Sequence, residues 1–200
     1  MNKDTEKNKF LDLNIGKILS DWHLWQAIRE ILSNSIDEHK IQGINDKIIC
    51  QYDKNKKEVE IRDFGRGIES KNFIQSESNE KNNRNDLIGK FGIGLKDAIA
   101  TFYRNNIKIK IYSKNGTWIP SESKKNGTNL YTIHMIESEA NDKNFKGTKI
   151  IITGIDEQEF LESKKQFLIF NDNEKIDSNK YGDVILKSNS SSEIYINGMK

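Results

Sequence analysis

The sequence contains few of the residues that build disulfides, rigid turns and large apolar cores. It has one cysteine, Cys50, and one proline, Pro120, among 200 residues, and hydrophobic residues make up 34%. A single cysteine excludes an internal disulfide and a cysteine metal cluster, which fits a reducing compartment. No apolar run approaches the roughly 20 residues that cross a bilayer, and the polar N-terminus lacks a signal-peptide core. We therefore expect a cytoplasmic, soluble protein with no membrane partner.

Charge is abundant but balanced. The 32 basic and 30 acidic side chains leave a net charge of +2, which gives no general argument for nucleic-acid or membrane binding. The apolar residues cluster in periodic runs, so a core is available and wholesale disorder is not expected. The length suits one domain, or one large domain with an incomplete neighbour.

The first helical pattern runs from Asp21 to Lys40, with Ser20 or Asp21 as its cap and Gly43 just past its end. Spacings of three and four residues give the helix an apolar stripe, made of Trp25, Ile28, Leu32 and Ile36.

Opposite that stripe the helix carries Glu30, Asn34 and Asp37, which fall within about 60° of one another at 100° per residue. Glu30 could accept a proton from an attacking water, and the Asn34 amide oxygen suits Mg²⁺. Asp37 could hold nearby backbone or water. A solvated polar face is the alternative interpretation of the same three residues.

A predicted hairpin of Lys47–Tyr52 and Glu58–Arg62 ends in Asp63, followed by Gly65 and Gly67. Asp and Gly are common where a strand ends in a turn, which is one interpretation. The other is a buried carboxylate that accepts a hydrogen bond from the exocyclic amine of adenine, with glycines that let the backbone approach the base. Such a site would reject guanine, which presents an acceptor there.

A second glycine cluster, Gly89-x2-Gly92-x-Gly94, precedes a predicted helix from Leu95 to Arg104. Glycines at a helix N-terminus let backbone N–H groups point at phosphate. A Rossmann loop should follow a strand, whereas charged and Asn-rich residues precede this one, and the P-loop spacing is absent. The very polar segment at about 69–92 is predicted to be a lid.

Lys90 and Lys96 are candidate phosphate contacts. Lys96 has an alternative interpretation, either as a surface side chain or as a partner of Asp97 or Glu30. The remaining pattern predicts strands at Ile107–Ile111, Leu130–Ile136, Thr148–Thr153 and Glu193–Ile196 and a helix at Phe160–Phe170. Gly147 and Thr148 open the third of these strands.

Taken in order, these motifs resemble the GHKL ATPases over the stretch from Trp22 to Thr153. That group contains type II topoisomerase ATPase subunits, ninety-kilodalton heat-shock chaperones, MutL proteins, MORC proteins and sensor histidine kinases. The resemblance implies a Bergerat-type α/β (α+β) fold: a two-layer sandwich whose mixed, mostly antiparallel sheet carries helices on one face. It also implies that ATP and Mg²⁺ are the cofactors.

By the resemblance, Glu30 is the general base, a residue that the histidine kinases usually lack, and Asn34 is the Mg²⁺ ligand. The nucleotide-binding set that it implies is Asn34, Asp37, Asp63, Gly65, Gly67, Gly89, Lys90, Phe91, Gly92, Ile93, Gly94, Lys96 and Thr148.

The function implied is Mg²⁺-dependent ATP hydrolysis, with lid closure coupled to homodimerisation of a larger protein. Histidine-kinase-like phosphotransfer and a non-hydrolysing, ATP-gated interaction module are the alternatives. We expect an extension or strap at 1–20, the ATP-binding domain at 21–170, and the end of that domain or the start of a further one at 171–200. A C-terminal region beyond Lys200 would supply a catalytic lysine and contacts to nucleic acid or a client protein, so hydrolysis by this chain alone is expected to be weak.

Overall fold

The computed structural model describes residues 9–13, 22–74, 84–89, 93–125, 129, 131–171, 174–179, 182–186 and 192–200. The helices are α1 (Leu24–Gln42), α2 (Lys71–Ile74), α3 (Gly94–Arg104) and α4 (Glu157–Lys165), followed by a 3₁₀ turn at Leu168–Phe170. The strands are β1 (Lys9–Asp12), β2 (Ile49–Asp53), β3 (Glu58–Arg62), β4 (Lys108–Ser113), β5 (Gly116–Lys124), β6 (Tyr131–Ser138), β7 (Lys149–Thr153), β8 (Lys175–Asn179) and β9 (Gly182–Ile185).

Within the described residues, seven strands form one sheet in the order β1-β6-β5-β4-β7-β3-β2, and β8 pairs with β9 separately. Every strand pair in these sheets is antiparallel. The α/β sandwich is therefore confirmed, with a sheet that is antiparallel rather than mixed. Strand β1 lies inside the predicted N-terminal extension and forms one edge of the sheet.

The core lies between one face of the sheet and the helices α1 and α3. Alternate strand residues such as Ile61, Ile111 and Ile152 are fully buried, as are Ile28 and Leu32 of the predicted α1 stripe. Each such side chain contributes about 1.5–3 kcal/mol when it is removed from water. This burial fixes which face of α1 is left for polar chemistry. No helix in the described segments combines the length and apolarity needed to cross a membrane.

Helix α1 begins at Leu24 and not at the predicted Asp21. His23 is extended, and its backbone N–H donates to the Gln26 side chain at 2.8 Å, which caps the first turn without a serine or aspartate. At the other end Gly43 takes a left-handed conformation at φ 62°, and its N–H and that of Ile44 donate to the His39 carbonyl. The predicted stop at Gly43 is confirmed.

One C-terminal prediction was right in kind and wrong in its bounds, and another was wrong. The predicted helix at Phe160–Phe170 is α4, which starts earlier and stops at Lys165, because Phe167 becomes extended and forms a bridge with Met199. The predicted strand at Glu193–Ile196 does not form; Ile196 instead bridges Met199 across a tight turn.

No strand was predicted at β5, which has Pro120 in its middle; a proline argues against a central strand. The last β4–β5 pair is Ile111 with Trp118, so Pro120 lies beyond the ladder with β4 and removes no hydrogen bond from it. Trp118 itself is fully buried, as expected of a core tryptophan.

Candidate functional site

Three successive residues in the last turns of α1 accept four backbone N–H groups from two other segments of the chain. Asp37 is fully buried, and its Oδ1 and Oδ2 accept from Ile88 (2.8 Å) and Gly89 (2.9 Å). The carboxylate therefore fixes the backbone that leads into the second glycine cluster. Asp37 thus holds neighbouring backbone, and its supporting role beside a nucleotide stays a prediction.

The next two residues hold the loop after β3. Glu38 accepts from the Arg66 backbone N–H at 2.8 Å and from its guanidinium at 3.0 and 2.9 Å. His39 is buried, and its Nε2 accepts from the Phe64 N–H at 2.9 Å. Because Asp37, Glu38 and His39 are consecutive, one stretch of helix positions the two glycine-containing loops relative to each other.

Asp63 lies at the end of β3 with only 5% of its surface exposed. Its Oδ1 accepts two backbone N–H groups, from Gly65 at 2.9 Å and from Thr148 at 3.1 Å. No described residue bonds its Oδ2. Burial raises the pKa of this carboxyl above its usual range, and the two N–H donors oppose that shift. The side chain is thus anchored through one oxygen and keeps the other as an acceptor.

The chain crosses itself tightly beside Asp63, which explains the glycines. Gly67 and Gly147 both have φ of 82°, a region that L side chains rarely adopt. A Cβ on Gly147 would collide with the Asp63 carbonyl, one on Gly67 would lie 3.0 Å from the Gly147 oxygen, and one on Gly65 would overlap the Glu38 side chain. The close approach of backbone segments beside Asp63 therefore requires Gly67 and Gly147, whereas Gly65 makes room for the Glu38 side chain.

Thr148 completes this crossing through three of its atoms. Its N–H donates to Asp63 Oδ1, its carbonyl accepts the Asp63 N–H at 3.0 Å, and its Oγ1 accepts the Ile68 N–H at 3.0 Å. The pair Gly147 and Thr148 therefore packs against Asp63 and holds its side chain and backbone, and the strand that follows begins at Lys149.

Glu30 lies two turns before Asp37 on α1, beside the start of α3. A Cβ on Gly94 would collide with Glu30 Oε2, so glycine at this position lets the carboxylate reach the N-terminus of α3. The other oxygen, Oε1, pairs with Arg29 at 2.7 Å. Burial, and then the nearby negative charge of Glu30, raise the pKa of the Asp97 carboxyl above its usual value.

Asn34 lies between Glu30 and Asp37 in sequence and is half-buried. Ile93 precedes α3 and is exposed. Lys96 is not a surface side chain: only 5% of it is exposed, and its Nζ donates to the Ile74 carbonyl at 3.0 Å. Burial lowers the pKa of this ammonium. Lys96 therefore ties α3 to the end of α2, at the start of the predicted lid.

Lys90, Phe91 and Gly92 lie outside the described residues, as does much of the predicted lid at 69–92. The other predicted site residues come from α1, the loop after β3, the segment before α3 and the start of β7, and hydrogen bonds connect several of these elements. Sequence reasoning gave no role to Glu38 or His39. Their adjacency to Asp37 was the available signal, because a helix that presents one acceptor to a loop also brings its neighbours to the same end.

Residues 22–161 match the family model described as histidine kinase-, DNA gyrase B- and HSP90-like ATPase. The chain belongs to this family. The predicted GHKL resemblance is thereby confirmed. Residues 158–200 also match a model described as the Mycoplasma pneumoniae MPN635 N-terminal domain.

The chain is also similar to individual proteins of three organisms. An uncharacterized protein of Mycoplasma pneumoniae is 42% identical over 198 residues, which cover 96% of this chain and 78% of that protein. A chaperone protein HtpG of Helicobacter pylori is 30% identical over 53% of the chain, and one of Wigglesworthia glossinidia brevipalpis is 32% identical over 46%. The matches cover 21% and 18% of those two chaperones.

Proposed function

We propose that this GHKL-family domain binds ATP in a pocket between the polar end of α1, Asp63 and the start of α3, and that it hydrolyses ATP with Mg²⁺. The observation that carries the proposal is Asp63, a buried carboxylate with one oxygen held by two backbone N–H groups and the other unbonded by any described residue. That free acceptor suits the exocyclic amine of adenine. Guanine would present a carbonyl there and would leave two acceptors facing each other.

The residues beside the pocket fit the polar part of the ligand. Asp37 holds Gly89 at the entry to the glycine cluster, and Gly94 opens α3, whose N-terminal N–H groups favour phosphate oxygens. The Asn34 amide oxygen would be the protein ligand for Mg²⁺, which prefers oxygen donors and shares its coordination sphere with triphosphate oxygens. When bound, the ion would offset charge that develops on the phosphates.

Glu30 is the proposed general base. It approaches the N-terminus of α3 across Gly94, where phosphate would bind, and a carboxylate there could take a proton from water. Substituting Glu30 with Gln keeps the shape of the side chain and removes the base. Analogue affinity should then stay within a few-fold of wild type while turnover falls by roughly 10²–10⁴.

The experiment is a calorimetric titration with a non-hydrolysable ATP analogue, with and without Mg²⁺ and with GTP as control, followed by a phosphate-release assay. Glu60→Gln, on the strand β3, is the matched control variant. Mg²⁺-dependent binding of the analogue without GTP binding supports the site. Equal turnover in wild type and Glu30→Gln would remove Glu30 as base.

One observation favours a second candidate, a domain that binds ATP without hydrolysing it. The Glu30 Oε1 accepts from Arg29 Nη2 at 2.7 Å and from its Nε at 3.2 Å, and this ion pair occupies one oxygen of the proposed base. Arg29→Gln would release the carboxylate. If that variant gains turnover that the wild type lacks, the ion pair is a brake and the wild-type chain is an ATP-gated module.

The family, rather than the site, supports a proposal about closure of the predicted lid and dimerisation. We propose that nucleotide binding closes the 69–92 segment and favours a homodimer of the full protein in the cytoplasm. The HtpG relatives are chaperones by name, which makes a client protein one candidate partner; nucleic acid is the other. Light scattering of the full-length protein with and without the analogue tests the dimer.

A further inference from the structure

The turn Ile196–Met199 is a two-residue hairpin turn. The Ile196 N–H donates to the Met199 carbonyl at 2.8 Å, and the Met199 N–H donates back at 3.0 Å. Asn197 and Gly198 have φ of 56° and 88°, both in the left-handed region. Asn-Gly is the preferred pair for such a turn because these residues tolerate positive φ.

One side of the turn is fastened to the domain. The Leu168 N–H donates to the Gly198 carbonyl at 2.8 Å, and the Lys200 N–H donates to the Gln166 carbonyl at 2.8 Å. The Met199 sulfur lies 3.8 Å from the Ser33 hydroxyl on α1. The turn is therefore held at a fixed place beside α1.

The other side of the turn binds the segment that enters the glycine cluster. The Asn197 side-chain amide donates to the carbonyls of Asn85 (2.9 Å) and Leu87 (3.0 Å). Lys40 Nζ bridges the carbonyl between them, that of Asp86, and the Asn197 carbonyl, at 3.0 Å each. Three successive carbonyl groups, at residues 85–87, are thus bonded by Asn197 or Lys40.

The next two residues are Ile88 and Gly89, whose N–H groups Asp37 binds. Side chains therefore hold one backbone group at each of the five residues 85–89, and Asn197 contributes two of the bonds. Leu87, at the centre, is fully buried. Because each residue from 85 to 89 is held by a side chain, the position of this segment is fixed. The segment forms the entry to the proposed phosphate site.

We propose that Asn197 is a positioning residue for the nucleotide site, and that docking of the Ile196–Met199 turn and binding of ATP strengthen each other. This inference rests on the proposed function. If the turn sets the position of residues 85–89, then nucleotide bound there must by linkage stabilise the turn by the same factor. The segment at 192–200 would then report nucleotide occupancy to whatever contacts it.

The test uses Asn197→Gly, which keeps the positive φ and removes only the side-chain donors. Asn106→Gly is the matched control, because Asn106 also has φ of 56° and follows the far end of α3. Asn197→Asp is the second variant; it keeps the side-chain shape and places an oxygen against two carbonyls. Loss of two partly exposed hydrogen bonds predicts a roughly five- to tenfold weaker analogue affinity for Asn197→Gly, and more for Asn197→Asp.

Hydrogen exchange supplies the readout that a general loss of stability would not mimic. Without nucleotide, exchange at Ile88 and Gly89 should accelerate in Asn197→Gly and stay unchanged in Asn106→Gly, at matched melting temperature. With the analogue, exchange at Ile196 and Met199 should slow in wild type. Wild-type affinity and wild-type exchange in both Asn197 variants would overturn the inference, whereas failure of wild type to bind the analogue would overturn the proposed function itself.

Discussion

Replacing Asp63 with Asn tests the adenine assignment without disturbing the pocket. The Asn oxygen can still accept the N–H groups of Gly65 and Thr148, which now meet at Asp63 Oδ1 at 2.9 and 3.1 Å. The amide nitrogen then takes the place of Oδ2 and offers N–H donors where the proposed ligand also has N–H donors. The variant should fold, with a free energy of unfolding within about 1 kcal/mol of wild type.

The expected loss of affinity follows from the two effects that meet at Oδ2. A hydrogen bond to a charged acceptor contributes about 1.5–3 kcal/mol, and a buried donor left without an acceptor costs a further about 1–3 kcal/mol. Water that pairs with the side-chain amide in the free protein offsets part of this sum, so the expected loss of binding free energy is about 2–4 kcal/mol. This corresponds to roughly 30- to 1,000-fold weaker binding of the ATP analogue.

The matched control is Asp53→Asn. Asp53 Oδ1 also accepts two backbone N–H groups, from Asn55 at 2.9 Å and Lys56 at 3.2 Å, but in the exposed β2–β3 turn. Calorimetric titration of both variants gives the affinities, and thermal unfolding checks the fold. If Asp63→Asn binds the analogue as wild type does, the carboxylate does not recognise adenine; if both variants lose affinity equally, the effect is not local.

Three further predictions concern packing and ionisation. Gly147→Ala should lower the free energy of unfolding by about 2–4 kcal/mol because its Cβ would collide with the Asp63 carbonyl, whereas Gly182→Ala, with open space around it, should not; chemical denaturation compares them. Because folding raises the pKa of Asp63, the stability that its protonated form contributes is present below the usual carboxyl pKa and is lost as pH rises through the raised pKa. The free energy of unfolding of Asp63→Asn should therefore rise relative to that of wild type between these two pKa values. Plots of unfolding free energy against pH that stay parallel for the two proteins would refute the raised pKa. Burial raises the pKa of the Cys50 thiol to about 12, so alkylation at pH 8 should be slow in the folded protein and fast in denaturant, and equal rates would contradict this burial.

Local patterns determined much of this protein before any tertiary contact was known. The apolar stripe of α1, the β2–β3 hairpin and the stop at Gly43 depend on neighbouring residues, so the sequence predicted them. The order of the motifs around Glu30, Asp63 and Gly94 sufficed to predict the family. Helix periodicity also placed Asp37 on the polar face, where it binds the backbone of Ile88 and Gly89.

Only the tertiary structure decided the contacts between segments that are distant in the chain. Pro120 lies inside β5 but beyond its last pair with β4, and the sequence does not show where β4 stops pairing. Lys96 was predicted as a phosphate contact, with a surface side chain as one alternative, because nothing local shows that its ammonium bonds the Ile74 carbonyl. Asn197 lies 110 residues from Leu87, whose carbonyl it binds. Its Asn-Gly pair predicts a turn, but the packing that brings this turn to the glycine cluster arises only when the whole chain folds.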